Sequence, residues 1–487
     1  MFHSKLLLIA LSVFFSTFTI AQNKQNEVLP SILPTSSDSL KKVKVNSIIF
    51  HGNKKTKNYI VEREIPFKKD DSLIFQHLPA LLKQARQQIY NTSLFNEVKV
   101  DSRMTSNNNI DIIIDVKERW YIYPIPQFKI VDRNFNEWFN TYHASLQRIN
   151  YGVKFADFNL SGKKDQLRLY LLNGYSRNIS VSYSAPFTDH LLSKAFVVST
   201  GFSQSKEINY KLSYNNKILW YPADSLKKTN TSFVSKNFFF NAGYSIRKGF
   251  FTKHIFNAGY YFYKVTDTIP KLTYNPNYFN NGSSSVGYID LFYMLQFINV
   301  DRVGYPLAGR TSFISFLKRG LSFSGGINAF IIEGGYNRYF SLEKKWYVSI
   351  QTSAKLKLPF SQAYINQHAL GYGDSYLRGL EYYVIDGVAA GLIKTTIKKK
   401  IIDFRIATPF KSRTHPYIPF AFYAKIFSDE GYAYNKKEYD AYLNNRLLYT
   451  GGFGIDIVTL YDFNIRLEYS FNQLKENGVF LHTQGGF

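Results

Sequence analysis

The residue whose chemistry is most constrained in this chain is an arginine in a glycine-flanked loop. Arg378 stands before Gly379 and shortly after the glycine-rich stretch 370–374. Arginine stays charged at physiological pH, so a buried guanidinium needs a carboxylate beside it. Asp429, in a strand-like segment further along the chain, offers that carboxylate, and Glu430 should turn to the opposite face because successive strand residues alternate. We therefore expect an internal ion pair; the alternative places Arg378 in an exposed loop and Asp429 at a hairpin end.

The sequence contains no motif that is typical of an enzyme active site. The sequence contains no His-Glu-x-x-His zinc helix, no Gly-x-Ser-x-Gly nucleophile turn and no phosphate-binding Gly-Lys-Ser/Thr loop. The 9 histidines are scattered along the chain. We therefore expect a protein that is not an enzyme and that has no catalytic residues, no metal site and no cofactor.

The elements that would position the ion pair are β-strands. From residue 119 onward apolar and polar residues alternate, which is the pattern of strands with one apolar face and one polar face. Clear examples are the stretches 179–184, 346–358 and 465–472. A soluble β-sandwich would alternate in the same way, so alternation alone leaves two architectures open.

The connections between these strands favour a transmembrane barrel over a sandwich. They fall into two classes of very different length: the short turns include Lys248–Gly249 and Glu343–Lys344, and the long polar stretches are 225–231, 268–285 and 435–445. Transmembrane barrels combine tight turns at one end with long loops at the other. The pattern predicts a mainly β protein, with an antiparallel transmembrane β-barrel of about 16 strands over residues 119–487.

Composition agrees with a barrel that spans a membrane. Aromatic residues make up 17% of the chain, with 43 Phe and 38 Tyr, while hydrophobic residues make up only 45%. That mixture is typical of strands with aromatic girdles at two membrane interfaces. The chain has no cysteine, so its stability must come from a core or from barrel closure rather than from disulfides.

The first residues have the features of an export signal. Lys5 precedes an apolar run from Leu6 to Ile20, which ends in a small-residue cleavage site at Ala21. Residues 1–21 are therefore expected to be a signal peptide, and the polar stretch 22–42 a disordered linker. The net charge of +25 is spread over strands and turns. The first interpretation is that these charges line a solvated lumen and solvated loops, and the second is that they attract lipid phosphates. Export argues against nucleic acid as a partner.

Residues 43–118 predict a separate small α+β unit. Val43, Val45 and the apolar run that follows suggest a strand, and Thr56 could cap a short helix through Ile60. A second helix follows from apolar residues at helical spacing, namely Leu78, Leu81, Leu82, Ala85 and Ile89. Two strands complete the unit, at 96–101 and 110–116. The order strand, helix, helix, strand, strand resembles a POTRA domain, present here in a single copy.

The segments around Arg378 and Asp429 resemble the paired motifs of the outer-membrane assembly-factor superfamily, which includes BamA, TamA and the two-partner secretion transporters. The resemblance implies a loop that folds back into the barrel and is held there by Asp429. The loop motif is Leu377, Arg378, Gly379 and Leu380, and the strand motif around Asp429 is Phe427 and Gly431. The family often places a second acid on the preceding strand; Thr396 stands there in this chain, which predicts a weaker lock. The terminal Phe487 matches the aromatic end that marks the last strand for insertion.

The resemblance implies work on other polypeptides. It predicts an outer-membrane assembly, insertion or translocation factor of the BamA/TamA type, with its POTRA domain in the periplasm. Unfolded outer-membrane or secreted polypeptides would be handled by the POTRA domain and by the seam between the first strand, about 121–131, and the last, about 478–487. The alternative is a secretion pore of the two-partner type or a passive channel. Further partners implied are outer-membrane lipid, lipopolysaccharide, and periplasmic proteins or lipoproteins.

Overall fold

The computed structural model describes residues 41–106, 108–131, 137–186, 189, 193–222, 232–280, 282–321, 327–408, 416–436 and 441–484. The predicted signal peptide, most of the predicted linker and the terminal Phe487 lie outside the described residues. Within the described part of the chain, no helix is both long enough and apolar enough to cross a bilayer.

The N-terminal domain is a four-stranded sheet with two helices. Its elements are β1 (Lys42–His51), α1 (Asn58–Glu62), β2 (Ser72–Ile74), α2 (Leu78–Asn91), β3 (Phe95–Ser106) and β4 (Asn109–Glu118). The strand order is β2-β1-β4-β3, with β1 and β4 parallel. The apolar face of α2 packs on the sheet as its spacing predicts, because residues three and four apart share one side of a helix. The buried core includes Val43, Val45, Ile60, Ala85, Ile89, Leu94, Ile110, Ile112 and Ile114.

The prediction that Thr56 caps α1 was wrong. The residue that precedes this helix is Lys57, and no side chain caps it. The Thr56 hydroxyl instead lies 2.9 Å from the Tyr121 hydroxyl and accepts a hydrogen bond from the Asn159 amide at 3.0 Å. The physical reason is tertiary: Thr56 is buried where the domain meets the next part of the chain, and these partners occupy its hydroxyl.

The remainder of the described chain forms one antiparallel sheet of 16 strands. The barrel strands are β5 (Ile122–Ile130), β6 (Ile149–Asp157), β7 (Gln166–Gly174), β8 (Ser176–Pro186), β9 (Lys194–Ser205), β12 (Ser235–Lys248), β13 (Thr252–Val265), β14 (Ser285–Val300), β15 (Gly309–Arg319), β16 (Ala329–Ser341), β17 (Trp346–Leu358), β20 (Ala389–Ala407), β21 (Tyr417–Tyr434), β22 (Leu447–Val458), β23 (Asn464–Asn472) and β24 (Asn477–Gln484). Two short ladders lie within connections, β10 (Ile208–Leu212) with β11 (Ile218–Tyr221), and β18 (His368–Leu370) with β19 (Ile385–Asp386).

The strands turn apolar residues outward and polar residues inward. On β17, Trp346 and Ile350 are 40% and 39% exposed, whereas Ser349 and Lys357 are buried. The sheet curls far enough for distant strands to meet inside it: the Tyr305 hydroxyl, between β14 and β15, donates to Asp456 on β22 at 2.7 Å. The predicted fold class, a 16-stranded antiparallel barrel behind a small α+β domain, is confirmed.

The two ends of the barrel differ. The N-terminal domain contacts turns at one end, between β6 and β7, β12 and β13, β14 and β15, and β22 and β23. We call this the docking end. The opposite end, which we call the loop end, carries the long connections, including residues 266–284 and 359–388. The predicted short turns at 248–249 and 343–344 therefore lie at the docking end and the long stretch 268–285 lies at the loop end, while 225–231 and part of 435–445 lie outside the described residues.

The first and last barrel strands, β5 and β24, are the two ends of the sheet order. Each consecutive pair of barrel strands from β5 to β24 is hydrogen-bonded, but among the described residues no ladder joins β5 to β24. We call this junction the seam. The prolines at 124 and 126 lie within β5, where each lacks a backbone N–H. Near the docking end, the Tyr123 ring of β5 meets the Tyr461 ring edge-on, with centroids 6.2 Å apart.

Candidate functional site: the inward loop and its charge network

The connection between β17 and β20 folds back into the barrel. We call residues 359–388 the inward loop. Leu377 and Leu380 are each 2% exposed and pack in a cluster with Leu392 of β20 and Leu448 of β22. When a loop is buried, its backbone N–H and C=O groups need hydrogen-bond partners inside the protein. One example is the Gly379 carbonyl, which accepts a hydrogen bond from the Asn472 side-chain amide at 2.7 Å. The loop is therefore a packed element of the lumen rather than a mobile surface segment.

Gly379 is needed for the conformation at the tip of the motif. Its φ is +94°, in the left-handed region that a side chain disfavours. A Cβ added there would lie 3.1 Å from Cβ of Ser470 and 3.3 Å from the Phe471 carbonyl oxygen. Glycine at this position lets the loop turn directly against β23.

The structure brings Arg378 and Asp429 together. The Asp429 side chain is fully buried, and its two carboxylate oxygens accept from Nε of Arg378 at 2.9 Å and from Nη2 in a shorter contact. The backbone N–H of Arg378 donates to the same carboxylate at 2.9 Å. A bidentate pair with a third, main-chain donor fixes both the position and the orientation of the loop. Glu430 is exposed on the opposite face, as alternation predicts.

The strand motif on β21 shapes the space around this pair. The guanidinium carbon of Arg378 lies 4.0 Å from the centroid of the Phe427 ring, which is a close cation–π contact. Gly431 leaves room for Leu377: a Cβ at 431 would lie 3.0 Å from Cδ1 of that leucine. Both motif residues therefore lie against the loop that the family resemblance associates with them.

A second carboxylate reaches Arg378 from a strand that the sequence did not indicate. Thr396 stands at the position where the resemblance expects an acid, and its hydroxyl accepts from Nη1 of Arg378 at 3.1 Å. Glu468 of β23 lies 3.7 Å from the same Nη1 and is 1% exposed. The carboxylate comes from β23 instead of β20. Glu468 is on the polar, inward face of the alternating stretch 465–472, and this alternation is the one sequence signal that could have indicated Glu468 as a partner.

The charges continue away from Arg378 as a network across β21, β22 and β23. The Lys425 ammonium, whose side chain is 2% exposed, pairs with Glu468 at 2.6 Å and with Asp456 in a shorter contact. Asp456 also accepts from the Tyr305 hydroxyl and lies 3.7 Å from the Lys398 ammonium. Buried charges are stable only when paired, so this network ties three strands to the loop.

Comparison with known proteins identifies the N-terminal domain and the barrel fold. Residues 43–119 match the sequence model of the POTRA family, described as a surface antigen variable number repeat. BamA from Haemophilus ducreyi lacking POTRA domains 1–3 is similar in structure, with a TM-score of 0.51 and 15% identity over 91% of this chain and 84% of that one. This is a POTRA-plus-barrel protein. CdiB from Escherichia coli is also similar, with a TM-score of 0.54 and 10% identity over 91% of this chain and 76% of that one. No curated protein sequence matches the chain significantly.

The POTRA domain is held against the barrel by charged and polar contacts. Arg247, near the docking end of β12, makes a bidentate pair with the buried Glu64 carboxylate at 2.6 and 2.7 Å. The Asn91 amide at the end of α2 donates to the Val300 carbonyl at 3.0 Å. These contacts lie at separate turns around the docking end, so the POTRA domain of this POTRA-plus-barrel protein sits across the mouth of the barrel.

A buried aspartate lies at the base of the inward loop. Asp386, on β19, accepts a hydrogen bond from the Tyr372 hydroxyl at 2.8 Å, and the Tyr372 ring stacks on His368 with centroids 3.9 Å apart. The Lys357 ammonium donates to the carbonyls of His368 and Gly387 at 2.6 and 3.0 Å. Burial raises the pKa of Asp386 to about 6, with the Tyr372 hydrogen bond opposing the shift.

This shift makes the stability of the loop depend on pH. Below the unfolded-state pKa of 3.8 Asp386 is protonated whether or not the loop is folded, so the folded state is favoured most there. As pH rises through about 6 the buried group must ionise, and up to about 3 kcal/mol of stability is lost. We expect Asp386→Asn to remove this loss and to unfold at a higher temperature than wild type at pH 7.5. Melting followed from pH 4 to 8 checks it, with the exposed Asp374→Asn as the matched control; parallel curves for wild type and Asp386→Asn would contradict the prediction.

Proposed function

We propose that this protein is an outer-membrane factor that inserts or translocates other polypeptides. The barrel spans the outer membrane, the docking end and the POTRA domain face the periplasm, and the loop end faces outward. The outward-facing apolar and aromatic residues of strands such as β17 support this placement, since a closed sheet satisfies its backbone without water. The proposed activity is non-covalent and needs no catalytic residue, cofactor or metal.

The observation that carries the proposal is the seam. A seam with few ladder hydrogen bonds can open, and an opened strand edge exposes N–H and C=O groups that can pair with an incoming strand. The seam lies between β5 and β24, and the two prolines of β5 remove donors that could have closed it. An opening here offers a client strand a template on one side and access to lipid on the other.

The POTRA domain offers a second place for an extended client. Its sheet has β2 and β3 at its two edges. β2 has three residues, whereas β3, Phe95–Ser106, has 12 and is long enough to pair with a client segment. A client held on β3 by main-chain hydrogen bonds would be kept from aggregating until it reaches the seam. Outer-membrane or secreted polypeptides with alternating strands are the client class that fits both edges, and periplasmic proteins or lipoproteins that deliver them would dock on the same domain.

Locking the seam tests the proposal. Phe128 of β5 and Val479 of β24 are both outward-facing and 69% and 53% exposed, and the chain has no cysteine of its own. We expect the variant with Phe128→Cys and Val479→Cys, joined by a flexible bifunctional maleimide, to lose at least tenfold in the rate at which it inserts other barrels into liposomes. The same loss should appear as failed rescue of cells depleted of the wild-type protein.

A matched control uses a junction that is already closed. Phe238 and Phe262 face each other across the ladder between β12 and β13. Cross-linking cysteines at these two positions constrains nothing further, so insertion should continue at the wild-type rate. Full activity of the locked seam variant would remove the seam from the mechanism.

A secretion pore or passive channel is the competing function. The inward loop opposes free diffusion, because Leu377, Arg378 and Leu380 occupy lumen space with buried partners. A plugged lumen should conduct poorly in planar bilayers. Steady large conductance by the wild-type protein, together with unchanged levels of outer-membrane proteins after depletion, would favour the channel.

A further inference from the structure

Two barrel strands extend well beyond their neighbours at the docking end. β20 pairs with β17 only as far as Lys399 opposite Trp346, and β21 pairs with β22 only from Ala421 opposite Val458. Past those points β20 continues to Ala407 and β21 begins at Tyr417. Residues 400–403 of β20 still pair with 421–423 of β21, whereas 404–407 and 417–420 pair only with each other among the described residues. We call residues 400–407 with 417–420 the ribbon. At about 3.3 Å per residue, β20 reaches about 26 Å beyond its last pairing with β17, and about 13 Å of that length lies beyond the last pairing of β21 with β22.

A bulge at the root of the ribbon sets which side chains share a face. The register shifts between Lys400 and Ile402, so that Ile402 pairs with Phe422 and Phe404 pairs with Phe420. A one-residue shift moves the following side chains to the other face of the strand. The face so formed is apolar and consists of Ile402, Phe404, Ile406, Ile418, Phe420 and Phe422. Asp403 and Arg405 lie on the opposite face.

The apolar face of the ribbon is exposed within this chain. Ile402 is 52% exposed, Phe404 is 40% exposed although its ring stacks on Phe420 with centroids 5.7 Å apart, and Ile406 is 50% exposed. A contiguous apolar surface of this kind is unfavourable in water and marks a contact with lipid or with another protein. Its cover must come from outside the described chain.

The position of this face indicates lipid. On β21 it continues directly into the outward face of the barrel, where Ile426 is 57% exposed and pairs with Ile397. Where the ribbon leaves the barrel, the Lys399 ammonium lies over the Trp346 ring, 5.1 Å from its centroid. Tryptophan and snorkelling lysine are typical of the boundary between acyl chains and headgroups.

The charge of the ribbon also fits a phospholipid surface. Lys399, Lys400 and Arg405 stand near its root and along it, against Asp403 as the acid, which pairs with Lys400 at 2.8 Å. Basic residues beside an apolar face are attracted to lipid phosphates while the apolar side chains enter the acyl region. A protein partner could cover the apolar face of the ribbon, but it would not account for the continuity of that face with the outward face of the barrel.

We propose that the ribbon is a second membrane contact, lying along the periplasmic leaflet with the face of Ile402, Phe404 and Ile406 in phospholipid acyl chains. This inference rests on the proposed membrane placement of the barrel. It gives the protein an additional lipid contact in the periplasmic leaflet, at the ends of the strands that carry Thr396 and Asp429. Bending of the ribbon at the bulge lets it lie along the leaflet instead of projecting into the periplasm.

Single cysteines in the naturally cysteine-free chain test the proposal. A polarity-sensitive fluorophore is attached at Ile406→Cys, on the apolar face, and at Arg405→Cys, its neighbour on the opposite face, in the full chain in nanodiscs without any other protein. The nanodiscs contain phosphatidylcholine and phosphatidylglycerol, with doxyl groups on the acyl chains as the quencher. We expect at least threefold stronger quenching at 406 than at 405, and a smaller difference when the anionic lipid is omitted.

A label at a third residue tests the membrane placement of the barrel independently of the ribbon proposal. Ile426→Cys labels the outward face of the barrel itself and should be quenched strongly. Quenching at 426 with equal, weak quenching at 405 and 406 overturns the ribbon proposal and leaves the membrane placement standing, with a protein partner as the occupant to seek. Weak quenching at 426 overturns the membrane placement and the ribbon proposal with it.

Discussion

Replacing Arg378 with alanine is expected to destabilise the inward loop by about 3–5 kcal/mol. The change leaves the fully buried Asp429 carboxylate without its bidentate partner and removes the cation that Glu468 faces at 3.7 Å. It also removes the side chain that packs on Phe427. We expect faster proteolysis within residues 359–388 in membranes, and loss of the heat-modifiable mobility that marks a folded barrel.

Two further variants separate this effect from a general loss of positive charge. Arg177→Ala removes an exposed arginine that hydrogen-bonds Asn173, and should change neither property. The double variant Arg378→Met with Asp429→Asn neutralises both partners and should recover part of the stability, because no unpaired carboxylate remains at 429. Wild-type protease resistance and heat-modifiability of Arg378→Ala would contradict a buried pair that holds the loop.

Lys425→Met should have the second largest effect, a loss of about 3 kcal/mol. The ammonium lies between two buried carboxylates, Asp456 and Glu468, and the methionine keeps the volume but supplies no charge. Both acids retain weaker partners, since Asp456 lies 3.7 Å from Lys398 and Glu468 lies 3.7 Å from Arg378. The expected loss is therefore smaller than the upper end expected for Arg378→Ala. Urea unfolding in liposomes, followed by tryptophan fluorescence, measures it.

The origin of that loss can be checked by removing one of the stranded charges. Adding Glu468→Gln to Lys425→Met should return about half of the lost stability, because one of the two carboxylates is then neutral. Lys236→Met, at an exposed lysine of β12, is the matched control and should leave the unfolding midpoint unchanged. An unchanged midpoint for Lys425→Met would show that the network adds nothing to the barrel.

Short-range patterns account for what could be predicted. Period-two alternation predicted about 16 strands because each strand of a barrel wall has one apolar and one polar face, and each face is visible within a few residues. Helical spacing likewise predicted α2. The proposal of Arg378 and Asp429 as partners rested on short motifs as well, because the two segments resemble the paired motifs of the outer-membrane assembly-factor superfamily.

What the sequence did not predict depends on contacts between distant segments. The three-residue strand β2 and the small ladders β10–β11 and β18–β19 are too short to show a period, and form because neighbouring structure satisfies their backbone. Thr56 has the residue type of a helix cap but is bound by Tyr121 and Asn159 instead. Side-chain type therefore gave a wrong prediction where a tertiary partner competed.

The amino-acid sequence alone determined the architecture, a small α+β domain followed by an antiparallel barrel, because hydrophobic periodicity selects secondary structure and the face of each strand that avoids water. Only the tertiary structure showed that a second carboxylate, Glu468, meets Arg378. The register of β23 relative to β21 brings Glu468 to the guanidinium, while Thr396 of β20 supplies a hydroxyl. The lengths of the ladders also come from the tertiary structure. Among the described residues no ladder joins β5 to β24, and β20 continues beyond its last pairing with β17 at Lys399; the hydrophobic pattern carries no information about where pairing stops.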